Sequence, residues 1–84
     1  MTIAVCPGSF DPITLGHVDV VRRARAMFDE VVVVVGINAS KNYLFSVDER
    51  VGFIREATAH IGGVRVEATD GLIAEYCRGI GASA

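Results

Sequence analysis

The chain has 84 residues, 51% of them hydrophobic and 21% charged, with a formal net charge of -2. That length suits one domain at most, and the hydrophobic share supplies a core and speaks against disorder. A sequence pI near 5.5 speaks against general nucleic-acid affinity, and no apolar run reaches the ~18–20 residues of a membrane span.

Met1-Thr2-Ile3 has neither a basic n-region nor a cleavage site, so no signal peptide is predicted. Cys6 and Cys77 are far apart and form no C-x-x-C, which predicts reduced thiols and a cytoplasmic setting.

Ile3 to Cys6 predicts a short buried strand, followed by the turn Pro7-Gly8-Ser9-Phe10-Asp11-Pro12-Ile13-Thr14-Leu15-Gly16-His17. Gly16 to Phe28 predicts a helix, with Val18, Val21, Ala24 and Phe28 on one face and Asp19, Arg22, Arg23 and Arg25 largely on the other. Glu30 to Ile37 is a continuous β-branched run, the pattern of a strand covered on both faces. Asn38 to Phe45 is a polar loop. Ser46-Val47-Asp48-Glu49 matches a capping box and opens a helix that carries Val47, Val51, Ile54 and Ala57 on one stripe to about His60. Gly62-Gly63 stops it. Val64 to Glu67 predicts a third strand, Gly71 a turn, and Leu72 to Arg78 a third helix followed by Gly79 and Gly81.

The order β-α-β-α-β-α predicts an α/β fold, a Rossmann-like open parallel sheet with helices on both faces, as one domain over 1–84. The chain ends at Gly81-Ala82-Ser83-Ala84, where the alternation calls for a fourth strand. The expectation is therefore the N-terminal portion of such a domain, with an apolar sheet edge left unpaired.

Ligands of open α/β sheets bind beyond the carboxyl ends of the strands, where the Pro7–His17 turn lies. Gly8 lets a ligand approach the backbone. Ser9 adds a hydroxyl, and the amides around Ser9 and Phe10 can donate to an anion. Gly16-His17 stands at a helix start, where amides and the dipole favour negative charge. Together these predict a phosphate site. A Gly-Ser turn or a helix-start histidine alone would be ordinary surface. His17-x-Asp19 offers two ligands that diverge on a helix, which makes no zinc site, and Ser9 has no base beside it to make it a nucleophile. Neither G-x-G-x-x-G nor G-x-x-x-x-G-K-[ST] occurs. Asp48, Glu49 and Arg50 look like helix-start residues, His60 like a helix-end cap, and Phe28 and Tyr76 like core.

Taken whole, the turn resembles the [TH]-x-G-H signature of the nucleotidyltransferase superfamily, here as Thr14-Leu15-Gly16-His17. With the preceding Gly8-Ser9-Phe10-Asp11-Pro12-Ile13 it is similar to the bacterial phosphopantetheine adenylyltransferase family, whereas related cytidylyltransferases usually have His where Thr14 stands. Asn38-Ala39-Ser40-Lys41, Leu44 to Arg50 and Gly71-Leu72-Ile73 resemble further blocks of that family, although the proline of its N-P-x-K form is missing.

The resemblance implies adenylyl transfer from ATP to 4′-phosphopantetheine, giving dephospho-coenzyme A and pyrophosphate in coenzyme A biosynthesis, with Mg²⁺ accompanying ATP. It implies His17 as the transition-state donor, and Ser9, Phe10, Thr14 and His17 as ATP-binding residues. Ser9, Lys41 and Ile73 would hold the acceptor, Lys41 through its ammonium; the bland alternatives are a solvated loop lysine and a core isoleucine. It also implies a homo-oligomer, a hexamer in the family, with no nucleic-acid or membrane partner. The family's later K/R-G-[LV]-R and I-S-S-[ST]-x-x-R blocks have no counterpart in this chain. Two alternatives therefore stand: transfer to another phosphorylated acceptor, and a non-catalytic nucleotide- or phosphate-binding half-domain. The 84-residue chain alone is expected to be marginally stable and nearly inactive.

Overall fold

Five successive valines, Val31 to Val35, are each 0% exposed and form the middle of the fold. Their β-branched side chains suit a pleated strand, and side chains pointing alternately to opposite faces can all be buried only if both faces are covered.

The computed structural model describes residues 1–37, 42–70 and 73–82. Its elements run β1 (Ile3–Gly8), α1 (Leu15–Met27), β2 (Glu30–Gly36), α2 (Val47–Ala57), β3 (Val64–Thr69) and α3 (Ile73–Ile80). The strands lie in the order β1-β2-β3, all parallel, with Ala4 opposite Val31 and Val31 opposite Val64. Among the described residues, β1 and β3 each pair on one side only.

One face of the sheet carries Val31, Val33 and Val35 with Ala4 and Val66, and Val21 of α1 and Ile54 of α2 pack on it. Val32 and Val34 point to the other face, across from Arg65 and Glu67 of β3. There Tyr76 of α3 lies close enough to Glu67 and Arg65 to feel their charges. Burial first, and then the Glu67 carboxylate, push its hydroxyl above the usual tyrosine value. Helices therefore cover both faces, as the alternation predicts.

Element ends differ from the sequence reading by a few residues. β1 runs on through Pro7 and Gly8, because a strand paired on one side can hold a proline without breaking a ladder on the other. α2 ends at Ala57 rather than about His60, with Thr58 as its cap and the Thr58 hydroxyl donating to the Ile54 carbonyl at 2.8 Å. β3 extends to Thr69, and α3 runs from Ile73 to Ile80, taking in Gly79.

Arg25 is a clearer correction. Helical periodicity puts it on the solvent face, yet its Nε donates to the Gly62 carbonyl at 2.7 Å and its Nη1 to the Phe28 carbonyl at 3.1 Å. It thereby ties the end of α1 to the turn that feeds β3. At the same end of the first crossover, the Thr2 N–H and hydroxyl donate to Asp29 Oδ2 at 2.8 and 3.2 Å. Those bonds hold the Asp29 carboxyl below its usual value.

Ile54 is 0% exposed, so Ile54→Val should cost about 1 kcal/mol of stability. Urea unfolding with an unchanged m-value checks this.

Candidate functional site

The carboxyl end of β1 turns into α1 through Ser9 to Thr14. Phe10 has φ 48°, in the left-handed region, and its side chain is 6% exposed. Such a backbone costs roughly 1–2 kcal/mol for a residue with a Cβ, which burial of the ring offsets. A Cβ on Gly8 would stand 3.0 Å from Phe10 Cε2, so the ring lies where only glycine leaves room. Phe10 meets the His17 imidazole edge-on, with ring centroids 5.0 Å apart and planes at 76°.

Thr14 caps α1. Its Oγ1 accepts from the His17 N–H at 3.3 Å, and its own N–H donates to His17 Nδ1 at 3.1 Å. This is a capping box in which histidine takes the place of glutamate. A ring nitrogen that accepts a hydrogen bond carries no proton, so Nδ1 is bare and the proton of the neutral imidazole is on Nε2. The cap thus turns His17 into a donor. Both Thr14 and His17 are exposed.

The first turn of α1 contains no acidic residue, whereas that of α2 carries Asp48 and Glu49. The positive end of the α1 dipole is left uncompensated beside the His17 donor, which suits an anion.

Two residues read from the sequence as local do more. Asp11 accepts from the Leu44 N–H at 2.6 Å through Oδ2 and from the Phe45 N–H at 2.9 Å through Oδ1, latching the turn to the segment that enters α2. Phe45 then packs edge-on against Phe53, 5.0 Å between centroids. Arg50 is not a helix-start residue facing solvent: it is 1% exposed, and its Nη1 donates to the Ser9 carbonyl at 2.9 Å. Its place on the stripe of Val47, Val51, Ile54 and Ala57 signals the burial, while its partners, being on other elements, leave no local trace.

Of the predicted site residues, Ser9, Phe10, Thr14 and His17 come together on this turn. Lys41 lies outside the described residues, as do Gly71 and Leu72. Ile73 is the first residue of α3, and its side chain is outside the description. Cys6 shares with Val5, Pro7, Phe10, His17 and Val20 a groove of about 290 Å³. Burial pushes its thiol up, away from the thiolate a nucleophile needs. Among the described residues no group of three or more His, Cys, Asp or Glu gathers as for a metal, and both Asp11 oxygens already accept from backbone amides. No helix among them is long and apolar enough to cross a membrane.

Thr14→Ala should cost about 1 kcal/mol through the lost cap. It should also release the imidazole, with proton density on Nδ1 rising; ¹⁵N spectra of the ring check this, and Thr14→Ser should keep both properties.

A family model described as Cytidylyltransferase-like matches residues 5–83. A phosphopantetheine adenylyltransferase from Cutibacterium acnes (strain DSM 16379 / KPA171202) is 57% identical over 81 residues, covering 96% of this chain and 52% of that protein. The chain thus spans about half the length of that curated relative. Among solved structures, the lipopolysaccharide core biosynthesis protein from Thermoplasma volcanium GSS1 matches with a TM-score of 0.78 over 98% of this chain and 70% of its own, at 24% identity. At that identity the likeness shows the fold alone.

Proposed function

The chain belongs to the cytidylyltransferase-like family, and from that premise we propose that its site serves adenylyl transfer from ATP to 4′-phosphopantetheine, giving dephospho-coenzyme A and pyrophosphate. The observation that carries the reading is the hydrogen bond from the Thr14 N–H to His17 Nδ1 at 3.1 Å, which leaves Nε2 as the donor, at a helix start with no acidic residue in its first turn. The 57% identical relative named phosphopantetheine adenylyltransferase supports the choice of substrates.

The chemistry asks for little proton transfer. The acceptor phosphate is already ionised near neutral pH. One of its oxygens attacks the α-phosphorus of ATP; the bond to the bridging oxygen breaks, and pyrophosphate leaves with the electron pair. The protein's task is to bring two anions into line and stabilise charge on the α-phosphate oxygens. In this reading His17 Nε2–H donates to one of those oxygens. The Ser9 hydroxyl and Phe10 N–H hold phosphate beside it, with Thr14 keeping the geometry. Lys41 and Ile73 take the acceptor, Lys41 by its charge. Mg²⁺ enters as part of the nucleotide substrate, carried by phosphate oxygens and water. A homo-oligomer, a hexamer, belongs to the same proposal, and sedimentation of the purified protein tests it.

Pyrophosphate release from MgATP, with and without 4′-phosphopantetheine, tests the activity. Acceptor-dependent release carries the proposal; release driven better by another phosphorylated acceptor moves it to that substrate. The second reading is a phosphate-binding domain without turnover. ATP binding with no release under any acceptor would establish it instead.

A further inference from the structure

Arg50 is a buried cation that the proposed chemistry leaves unused. Its side chain is 1% exposed, and its guanidinium carbon lies 3.9 Å from the centre of the Tyr43 ring. Nη1 donates to the Ser9 carbonyl at 2.9 Å and, more weakly, to the Gly36 carbonyl at 3.4 Å. Nε is buried and has no partner, and no carboxylate forms an ion pair with Arg50, among the described residues. A cation in such a place is costly, and an apolar side chain of similar size would fill the space without that cost. Packing alone therefore does not account for arginine here.

The Ser9 carbonyl gives the account. Asp11-Pro12 is the cis bond among the described residues, so the Ser9–Phe10 peptide is trans, and in a planar trans peptide C=O and N–H point in opposite directions. A Ser9 carbonyl held by Arg50 sends the Phe10 N–H away from Arg50. The Gly36 carbonyl at the end of β2 is held by the same nitrogen, so the carboxyl ends of β1 and β2 are coupled through one guanidinium.

We propose that Arg50 is the positioning residue of the anion site: by fixing the Ser9 carbonyl it presents the Phe10 N–H to a bound phosphate, and its unneutralised charge favours that phosphate from beneath. This rests on the nucleotide reading above and deepens it. Tyr43 keeps the guanidinium in place by stacking on it.

The test is a titration of the ¹⁵N-labelled chain with MgATP, reading the Phe10 amide resonance together with the dissociation constant. Arg50→Lys keeps the charge but has a shorter reach and no planar group to stack on Tyr43, so it cannot set one nitrogen between the two carbonyls. Its dissociation constant should rise roughly tenfold, the loss of one charge-assisted hydrogen bond, and the Phe10 shift should shrink. Ile54→Val, an apolar change one helical turn along α2 that removes no polar contact to Ser9, should leave both readings unchanged. If Arg50→Lys loses its dispersed spectrum, Tyr43→Leu takes its place, with weaker binding and a smaller Phe10 shift expected. Wild-type affinity and an undiminished Phe10 shift in the variant overturn the role of Arg50 alone, and so does an equal loss in Ile54→Val. A wild-type chain that does not bind MgATP removes the nucleotide reading and this inference with it.

Discussion

On the proposed function, His17→Gln should unfold at close to the wild-type temperature yet transfer the adenylyl group about 10²–10³-fold more slowly, the usual effect of removing one preorganised donor to transition-state charge. The two consequences separate because His17 has two jobs at two atoms. Nδ1 accepts from the Thr14 N–H at 3.1 Å and completes the cap of α1. Glutamine is a regular partner in that reciprocal box, so its carbonyl oxygen can take over the acceptance. It cannot also put a donor where the imidazole projects Nε2–H. His17→Ala should lose both, with about 1 kcal/mol of stability going with the cap. Single-turnover pyrophosphate release and thermal unfolding, run on both variants, separate the roles. Transfer by His17→Gln at the wild-type rate would remove His17 from the chemistry and leave it a capping residue.

Gly63→Ala should destabilise the fold by about 3–4 kcal/mol. Gly63 has φ +77°, and a Cβ there would stand 2.1 Å from Arg25 Nε. Arg25 cannot yield cheaply, since that nitrogen donates to the Gly62 carbonyl at 2.7 Å and its neighbour to Phe28. Two costs therefore combine: a left-handed backbone on a residue with a side chain, and the loss of charge-assisted bonds joining α1 to the start of β3. At roughly 0.05–0.15 kcal/mol per residue, a small domain has little in reserve against such a change. Gly62→Ala meets nothing within 4 Å, so it should shift the midpoint of denaturant unfolding far less. Equal midpoints for the two variants would mean that the turn before β3 adjusts freely and Arg25 holds nothing.

Much of the site's scaffold is legible without coordinates. The Ser46-x-x-Glu49 spacing announces the reciprocal cap of α2, which has bonds of 3.1 and 3.2 Å; the Thr14–His17 cap emerges only from the structure, because histidine stands where the pattern has an acid or an amide. The sequence reading took His17 as a donor on the first turn; that Thr14 sets its tautomer emerges only from the distances. Asp11 looked like a turn former and is a latch between two loops. Arg50 reads as a helix-start residue and is buried beneath the turn.

What the sequence by itself determined is whatever depends on near neighbours. The five-valine run of β2, the alternation of strands and helices, the Ser46–Glu49 capping box and the crowding of glycine, hydroxyl and histidine into one strand-to-helix turn all follow from near-neighbour spacings. Tertiary structure alone decided which polar side chains turn inward. Arg50 reaches Ser9 across 41 residues, Arg25 reaches Gly62 across 37, and Asp11 reaches Leu44 across 33. The physical reason is that a helical period tells which residues share a face, while the partner a polar side chain finds depends on which strand end or loop the packed sheet sets beside it. Arg50 shares the apolar stripe of α2 with Ile54, and the carbonyls at the ends of β1 and β2 are what meet its guanidinium there.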